Sequence, residues 1–454
     1  MALKRPAKSK TGESCAMAFE AESIVTLCTS DLAGQVRGKG FPARDLEKRR
    51  KFGVGWTPTN SMINCFGSIQ ATPWGALGDL MLTPDPDGDV RLDYDDAPGE
   101  HFILGDIKTL DGQPWSCCPR SFLRRALADL KAETGLNLLA AFEHEFHYDA
   151  ADDRVGDSYS IGSLRGVEEF INELIGALRA NGIQPDTFLP EYGPRQFEVT
   201  IDPADGLAAA DHAVKLREIT RALGRRHGGH VSFSPVVTRG AAGNGVHIHF
   251  SFTDDQGKPV TYDPDGPGGL SRQAASFSAG LLRHARALCA LATPSVMSYE
   301  RLKPHSWSAY WTNLGLRDRE ATLRICPVPE DPSVDVAKRY NLEYRAADAA
   351  ASPYLQLGML VYAGLAGIRE DLPAPVIGHE DPETLSAEER AARGITTLPQ
   401  SLEEALQALE ADKAALSWLG PELAEAYVMH KRGEIGMLKG KSTDEICQLY
   451  TEVY

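Results

Sequence analysis

No run of 18 apolar residues occurs in this chain of 454 residues, so a membrane-spanning helix is not expected. No two cysteines stand as Cys-x-x-Cys. The eight are scattered at Cys15, Cys28, Cys65, Cys117, Cys118, Cys289, Cys326 and Cys447. The adjacent pair Cys117-Cys118 is badly placed for an ordinary disulfide, so a reduced, cytoplasmic chain is expected. Basic residues are in deficit, 47 against 63 acidic ones, for a net charge of −16. That balance excludes an electrostatic nucleic-acid footprint. Met1 to Ser14 is polar and basic and lacks the apolar core of a secretory signal. Residues 1–18 are read as a flexible tail. A P-loop is missing as well: Gly436-Met437-Leu438-Lys439-Gly440-Lys441-Ser442 is one residue short and follows no strand. There is no Gly-x-Ser-x-Gly elbow, no dinucleotide fingerprint, no repeat and no low-complexity tract.

What is present is an ordinary globular composition, 43% apolar, on a chain too long for one ordinary core. Residues 19–112 have strand-and-loop texture. Ile24 to Thr29 reads as a strand, Asp31 to Gly34 as a turn, and Pro84-Asp85-Pro86-Asp87-Gly88 as a strong turn. Residues 113–454 are different. Pro119 to Thr134 has helical spacing and a C-cap glycine, Gly135. Leu164 to Asn181, Ala208 to His227 and Arg272 to Ala292 read as helices. Glu191 to Ile201, Val246 to Phe252, Thr322 to Ile325 and Leu342 to Arg345 read as strands. From Pro353 the chain is mainly helical, broken at Pro373-Ala374-Pro375. The alternation lacks a βαβ rhythm, so an α+β fold is expected.

The chemistry gathers on four strand-like segments. In Ala141-Phe142-Glu143-His144-Glu145-Phe146-His147-Tyr148, period-two alternation puts Glu143, Glu145 and His147 on one face. Two carboxylates about 7 Å apart on an apolar strand call for a counter-charge, and a hard divalent cation suits them. Glu191 and Glu198 flank a Gly-Pro turn. His247 and His249 share one face of Val246-His247-Ile248-His249-Phe250. Glu343 and Arg345 are in phase, a spacing that alone usually means an ion pair. Together these supply enough oxygen and nitrogen for two or more divalent ions. Arg301, Arg317, Arg319, Arg324, Arg339 and Arg345 cluster downstream and suit bidentate contacts with carboxylate or phosphate. Acids for metal plus arginines for anions suggest phosphoryl transfer to a carboxylate.

The order Glu143-x-Glu145-Phe146, Glu191-x-Gly193-Pro194-x-Gln196-x-Glu198, Gly243-x-Gly245-x-His247-x-His249, Arg301-Leu302-x-Pro304, Arg319 with Leu323-Arg324, Leu342-Glu343-x-Arg345 and Pro353-Tyr354-Leu355 resembles the glutamine synthetase family. Asp31-x-x-Gly34-x-x-Arg37-Gly38-Lys39 and Asp79-x-x-Leu82-x-Pro84-Asp85 extend the resemblance towards the N-terminus. It implies a small N-terminal β-grasp domain and a large catalytic domain of antiparallel sheet and helices. It also implies a homo-oligomer, usually a dodecamer of two hexameric rings with sites shared between neighbours. The implied chemistry uses ATP and two to three Mg²⁺ or Mn²⁺ to phosphorylate the γ-carboxylate of glutamate, and an amine then displaces phosphate. Carried over by position, Glu145, Glu191 and Glu198 bind the metal nearer glutamate, and Glu143, His247 and Glu343 the metal on the ATP phosphates. His249 and Ser251 contact nucleotide, Arg319 and Arg324 the transferring phosphate. Glu145, Gly243, Arg301 and Arg345 hold glutamate.

The departures from the family pattern bear on the amine. Ammonia-using members carry an Asp in an N-terminal loop where Thr57 aligns, and a Glu on a flap where Trp307 stands. Losing both acids removes the attraction for a small cation and adds apolar surface. Trp56, Thr57, Tyr159 and Trp307, with Tyr310 and Trp311, are therefore expected to line a pocket for an alkyl or aryl amine. His305 and Tyr159 are candidate general bases. Arg195 replaces the usual Gly of Gly-Pro-Gly-Gln, and Asp318 the usual Asn of Asn-Arg; no adenylylation-loop tyrosine is matched. The expected activity is a glutamate–amine ligase making a γ-glutamyl amide. Glutamine synthetase proper, or a non-catalytic structural or regulatory member, are the alternatives.

Overall fold

The computed structural model describes residues 22–454 except 96 and 154; the expected tail and Cys15 lie outside them. Five strands form the first sheet: β1 (Ile24–Ser30), β2 (Val36–Pro42), β3 (Val54–Trp56), β4 (Leu80–Leu92) and β5 (Glu100–Lys108). Their order is β2-β1-β5-β4-β3. The central β1 and β5 run parallel and the remaining neighbours antiparallel. This is the β-grasp arrangement, crossed by the helix Leu46–Phe52.

The second sheet has ten strands: β6 (Asn137–Tyr148), β7 (Pro185–Pro190), β8 (Gln196–Ile201), β9 (Ala204–Asp205), β10 (Val231–Ser232), β11 (Val246–Thr253), β12 (Trp311–Leu316), β13 (Ala321–Ile325), β14 (Leu342–Tyr344) and β15 (Ile377–Gly378). Its main path is β15-β12-β13-β14-β11-β6-β8-β7. Along β6 one face is fully buried, with Phe142, His144 and Phe146 inside, and the other carries half-buried Glu143, Glu145 and His147. The helices Gly206–Arg226 and Pro353–Arg369 pack into the same apolar core as that inner face. The polar face is thereby left to a cavity. The helix Pro119–Thr134 ends at Gly135, whose φ of 75° is the left-handed conformation that glycine reaches without steric cost.

Three expectations need correction. Pro84 to Gly88 is no chain-reversing turn. It is a bulge inside β4, where the register against β5 jumps between Pro84 and Asp89. The bulge persists because Arg120 Nη1 donates to Asp85 Oδ2 at 2.7 Å and Lys215 Nζ to the Asp87 carbonyl at 2.6 Å. The helices expected over Leu164–Asn181 and Arg272–Ala292 each break in two, at Val167 (φ −124°) and at His284 (φ −99°). His284 Nδ1 lies 2.6 Å from Asp412 Oδ2, a tertiary bond a straight helix would not place. The strand expected from Glu191 begins only at Gln196, because Glu191 to Arg195 forms a turn. Arg195 sits there at φ 55°, which explains why a glycine is the usual occupant.

Candidate active site

Cross-strand register assembles the site. β6 pairs antiparallel with β11 and β8, setting His247 opposite Glu143 and Glu198 opposite Glu145. β14 pairs with β11 and β13, setting Glu343 opposite both His249 and Arg324. Directly paired residues share a face, so strands distant in sequence deliver their polar side chains to one place. They line a cavity of about 540 Å³ together with Glu191, Arg319 and Arg345.

Two groups of carboxylates and histidine bring ligand atoms within 4.8 Å of one another: Glu145, Glu191 and Glu198, and Glu143, Glu198 and His247. The first is the expected set for one metal. The second shares Glu143 and His247 with the other expected set but closes on Glu198. Glu343 stands beside this set, its Oε1 3.7 Å from His247 Nδ1, and also faces the arginines: Arg324 Nη1 donates to its Oε2 at 2.7 Å, and Arg345 Nη1 to its Oε1. Burial opposes the charge of Glu343, yet Arg345, with His247 and His249, holds its carboxyl down at about 2. Glu143 is likewise held well below the usual range, against its burial, by His249 and His247. Glu198 has no such help. Burial, then the charges of Glu143, Glu145 and Glu191, push it up to about 9. Burial and Glu145 push Glu191 up to about 7. Crowded carboxylates that protonate for want of a counter-charge are a donor set suited to a hard divalent cation.

The arginine end is built separately. Arg301 is buried and anchored by Nη2 donating to the Ala347 carbonyl at 2.6 Å, with its Nε unpartnered. Gly243 and Gly245 let it approach: a Cβ on Gly245 would lie 3.0 Å from Arg301 Nη1, and one on Gly243 2.9 Å from its Cγ. Gln196 Nε2 donates to the Gly243 carbonyl at 3.0 Å and to Asn244 Oδ1 at 3.0 Å, locking that loop. Gly245 N donates to Glu145 Oε2 at 2.7 Å, fixing the carboxylate. Ser251 continues the face of His247 and His249 but is not among the cavity-lining residues.

Paired carboxylates beside convergent arginines are the inventory of an ATP-dependent carboxylate-activating enzyme, and the comparisons with known proteins agree. The model of the glutamine synthetase catalytic domain matches residues 116–450, and that of the glutamine synthetase N-terminal domain residues 15–115. The chain belongs to the glutamine synthetase family. This family consists of ligases that use ATP and divalent metals. The chain is 35% identical to the γ-glutamylpolyamine synthetase GlnA3 of Streptomyces coelicolor, over 95% of this chain and 93% of that one. It is 32% identical to a glutamine synthetase of Pyrococcus furiosus, over 87% of each. Among solved structures, a novel glutamine synthase homolog matches with a TM-score of 0.88 and 40% identity, covering 96% of this chain and 99% of that one. The ADP complex of GmaS matches with a TM-score of 0.80 and 28% identity, covering 93% and 95%.

Within this glutamine synthetase frame, the residues expected around the amine are partly dispersed. Tyr159 and Trp307 do line the cavity. They are joined through Tyr192, which sequence reasoning gave no role: its ring lies 5.3 Å from that of Tyr159 and 5.6 Å from that of Trp307. The Tyr159 hydroxyl donates to Glu191 Oε1 at 3.1 Å, which ties the aromatic row to the carboxylates. Trp56 does not belong here. It is 5% exposed, packs in the apolar core and is not among the residues that line this cavity. Thr57, next to it, is also absent from the lining. Tyr310 and Trp311 face a different cavity of about 330 Å³, and the Arg390 guanidinium stands 4.8 Å from the Trp311 ring. His305 is turned outward, its Nε2 2.6 Å from Glu383 Oε2. No helix among the described residues is long and apolar enough to cross a membrane.

Proposed function

We propose that this protein is an ATP-dependent ligase that joins the γ-carboxylate of glutamate to an organic monoamine, giving a γ-glutamyl amide. The observation that carries this reading is the aromatic row Tyr159–Tyr192–Trp307 at the carboxylate end of the cavity, with Trp307 58% exposed. Exposed aromatic faces beside acids accept an alkyl or aryl group on an amine, whereas bare ammonium needs a carboxylate at that position. The named activity of the Streptomyces relative, a γ-glutamylpolyamine synthetase, supports an organic amine as acceptor.

In this scheme Arg301 and Arg345, with Gly243, orient glutamate, while Arg319 and Arg324 face the transferring phosphate. Glu145, Glu191 and Glu198 would hold one divalent ion, and Glu143, His247 and Glu343 a second, with Glu343 also ordered by Arg324 and Arg345. Bound Mg²⁺ or Mn²⁺ would supply charge neutralisation for the phosphoryl group. The arginines add fixed positive charge where negative charge develops, and the γ-glutamyl phosphate formed is an electrophile that the amine attacks. His249 and Ser251 are assigned to the nucleotide side. Residues 19–112 and 113–454 act as N-terminal and catalytic domains of a cytoplasmic homo-oligomer, a dodecamer of two hexameric rings. Thr57 then serves a neighbour's site.

Phosphate release measured across a matrix of acids and amines tests this. A primary alkyl or aryl amine with glutamate should give the highest kcat/KM. If ammonium is best, the protein is a glutamine synthetase proper. If a polyamine is best, the monoamine assignment fails. If no combination releases phosphate, the chain is a non-catalytic member.

A further inference from the structure

The aromatic residues left outside the catalytic cavity gather in one of their own. Tyr310 and Trp311 line a space of about 330 Å³ with Asp318, Glu320, Glu380 and Asp381. That volume lies at the lower end of the range for small-molecule sites, about 300–1,000 Å³. Its walls are the flap at Pro304, the turn between β12 and β13, and the loop after β15. It shares no lining residue with the cavity of the paired carboxylates.

The acids there outnumber the cations that face them. Glu380 is paired with Arg393, Nη1 to Oε1 at 2.5 Å. The lining Arg317 turns to Glu330, Nη2 to Oε1 at 3.2 Å. His305 Nε2 lies 2.6 Å from Glu383 Oε2, while its Nδ1 is 3.9 Å from Asp381 and 4.0 Å from Glu320. One imidazole thus serves three carboxylates. Among the described residues Asp318 makes no ion pair, and its Oδ1 accepts the Glu320 amide at 2.9 Å. Asp318 stands where the family pattern has Asn, so its charge is an addition to that pattern. The aromatic wall is a separate observation. Tyr310 and Trp311 meet edge to face with ring centres 5.1 Å apart. Arg390, over the Trp311 ring, donates its Nη1 to the Pro382 carbonyl at 3.0 Å, so it braces the wall and neutralises none of the lining acids. Aromatic rings beside uncompensated carboxylates recognise an organic ammonium group, whereas a bare metal ion makes no use of the rings. Acids from two loops, Asp318 and Glu320 on one and Asp381 on the other, offer places for two such groups.

We infer that this cavity binds an aliphatic diammonium ion, such as 1,4-diaminobutane, as an effector of the acceptor-amine site. Glu320 connects the two cavities. Its Oε1 accepts the Trp307 amide at 2.9 Å, and Trp307 lines the catalytic cavity. An ammonium group paired with Oε2 fixes that carboxylate and, through it, the Trp307 backbone. The bound ion therefore lowers the KM for the acceptor amine and leaves that for ATP unchanged. Binding stands on the cavity alone. The effect on KM rests on the proposed amine role of Trp307.

The experiment uses the full-length protein in Mg²⁺ with excess 1-aminobutane, so that the acceptor site is filled and an amine of single charge competes throughout. 1,4-Diaminobutane is titrated by calorimetry at fixed ionic strength. Wild type should bind one equivalent. D318N keeps an Oδ1 acceptor for the Glu320 amide and removes only the charge. It should bind the diamine at least about tenfold more weakly, and D381N likewise. In steady-state kinetics with the best monoamine acceptor, the diamine should lower the wild-type KM about fivefold and leave that of D318N unmoved. No binding in wild type, or equal binding in D318N and D381N, overturns the site. Weaker binding in both variants with an unmoved wild-type KM overturns the coupling to Trp307 alone. A KM that rises equally in wild type and D318N puts the diamine in the acceptor site and overturns the effector role. If no amine is ligated, the coupling falls with the ligase reading, and the calorimetry still decides the site.

Discussion

The ring of Trp307 lies 5.6 Å from the ring of Tyr192, tilted by 36°. The Trp307 backbone is fixed at the same time: Arg345 Nη2 donates to its carbonyl at 3.2 Å, and its amide donates to Glu320 Oε1 at 2.9 Å. Trp307 stands at φ 53°, a strained left-handed conformation that these bonds maintain.

Replacing this side chain with a carboxylate should therefore change the amine and leave the phosphoryl chemistry alone. Trp307→Glu should raise kcat/KM for ammonium about tenfold, worth about 1.4 kcal/mol of transition-state binding. It should lower the value for the best organic amine by a similar factor. Steady-state kinetics with both acceptors decides the matter, and an unchanged ratio would remove Trp307 from the amine site.

The crowded carboxylates predict a coupling between metal and protons. Glu191, at about 7, and Glu198, at about 9, lie above the unfolded value of 4.5. A raised folded-state value means that their contribution to stability is present below pH 4.5 and is lost as pH rises through 7 and then 9. In metal-free protein the unfolding midpoint should fall across that window, and Mg²⁺ should restore it most at the alkaline end. Binding near pH 7 should release protons, read by calorimetry in buffers of different ionisation enthalpy. Glu198→Gln should flatten the pH slope. If its slope equals that of the wild type, this carboxylate is not the source.

Much of this site was legible because period-two alternation on apolar strands survives folding. Glu143 with Glu145, and His247 with His249, share faces as their spacing demands. The partners of Glu343 were half legible: the in-phase Arg345 marked an ion pair, but Arg324 arrives from β13 through register, which no local spacing encodes. Cys326 reads in the sequence as one scattered cysteine and meets His249 only because β11, β14 and β13 are neighbours. Pro84 to Gly88 has turn chemistry, yet side chains from two distant helices convert it into a bulge. Trp56 looked like pocket lining because it adjoins Thr57. Strand pleat turns adjacent side chains to opposite faces, and its face is the buried one.

That burial can be tested directly. Trp56→Ala deletes a large side chain from a packed core, which typically costs about 3–5 kcal/mol. Chemical denaturation should show this loss while the ratio of organic amine to ammonium kcat/KM stays constant in the folded fraction. A shift in amine KM with little loss of stability would restore Trp56 to a pocket.

Arg120 sets the last expectation. Its Nε and Nη2 lie 2.9 and 2.8 Å from the two carboxylate oxygens of Asp211, and Tyr354 donates to the same carboxylate at 2.6 Å. Its Nη1 reaches Asp85 in the β4 bulge at 2.7 Å and Asp106 of β5 at 3.0 Å. One guanidinium, 1% exposed, thus ties the first sheet to two helices of the second body. Arg120→Ala leaves Asp211 buried and without its cation, a change that typically costs about 3–5 kcal/mol. Arg120→Lys keeps the charge but cannot make the fork, so it should recover only part of the loss. The bulge at Pro84 to Gly88 should lose its order first, because Asp85 loses its buried partner. Hydrogen exchange should then speed up in β4 and β5 before it does in β6. Uniform acceleration across both sheets would show that Arg120 supports the whole fold and not this junction.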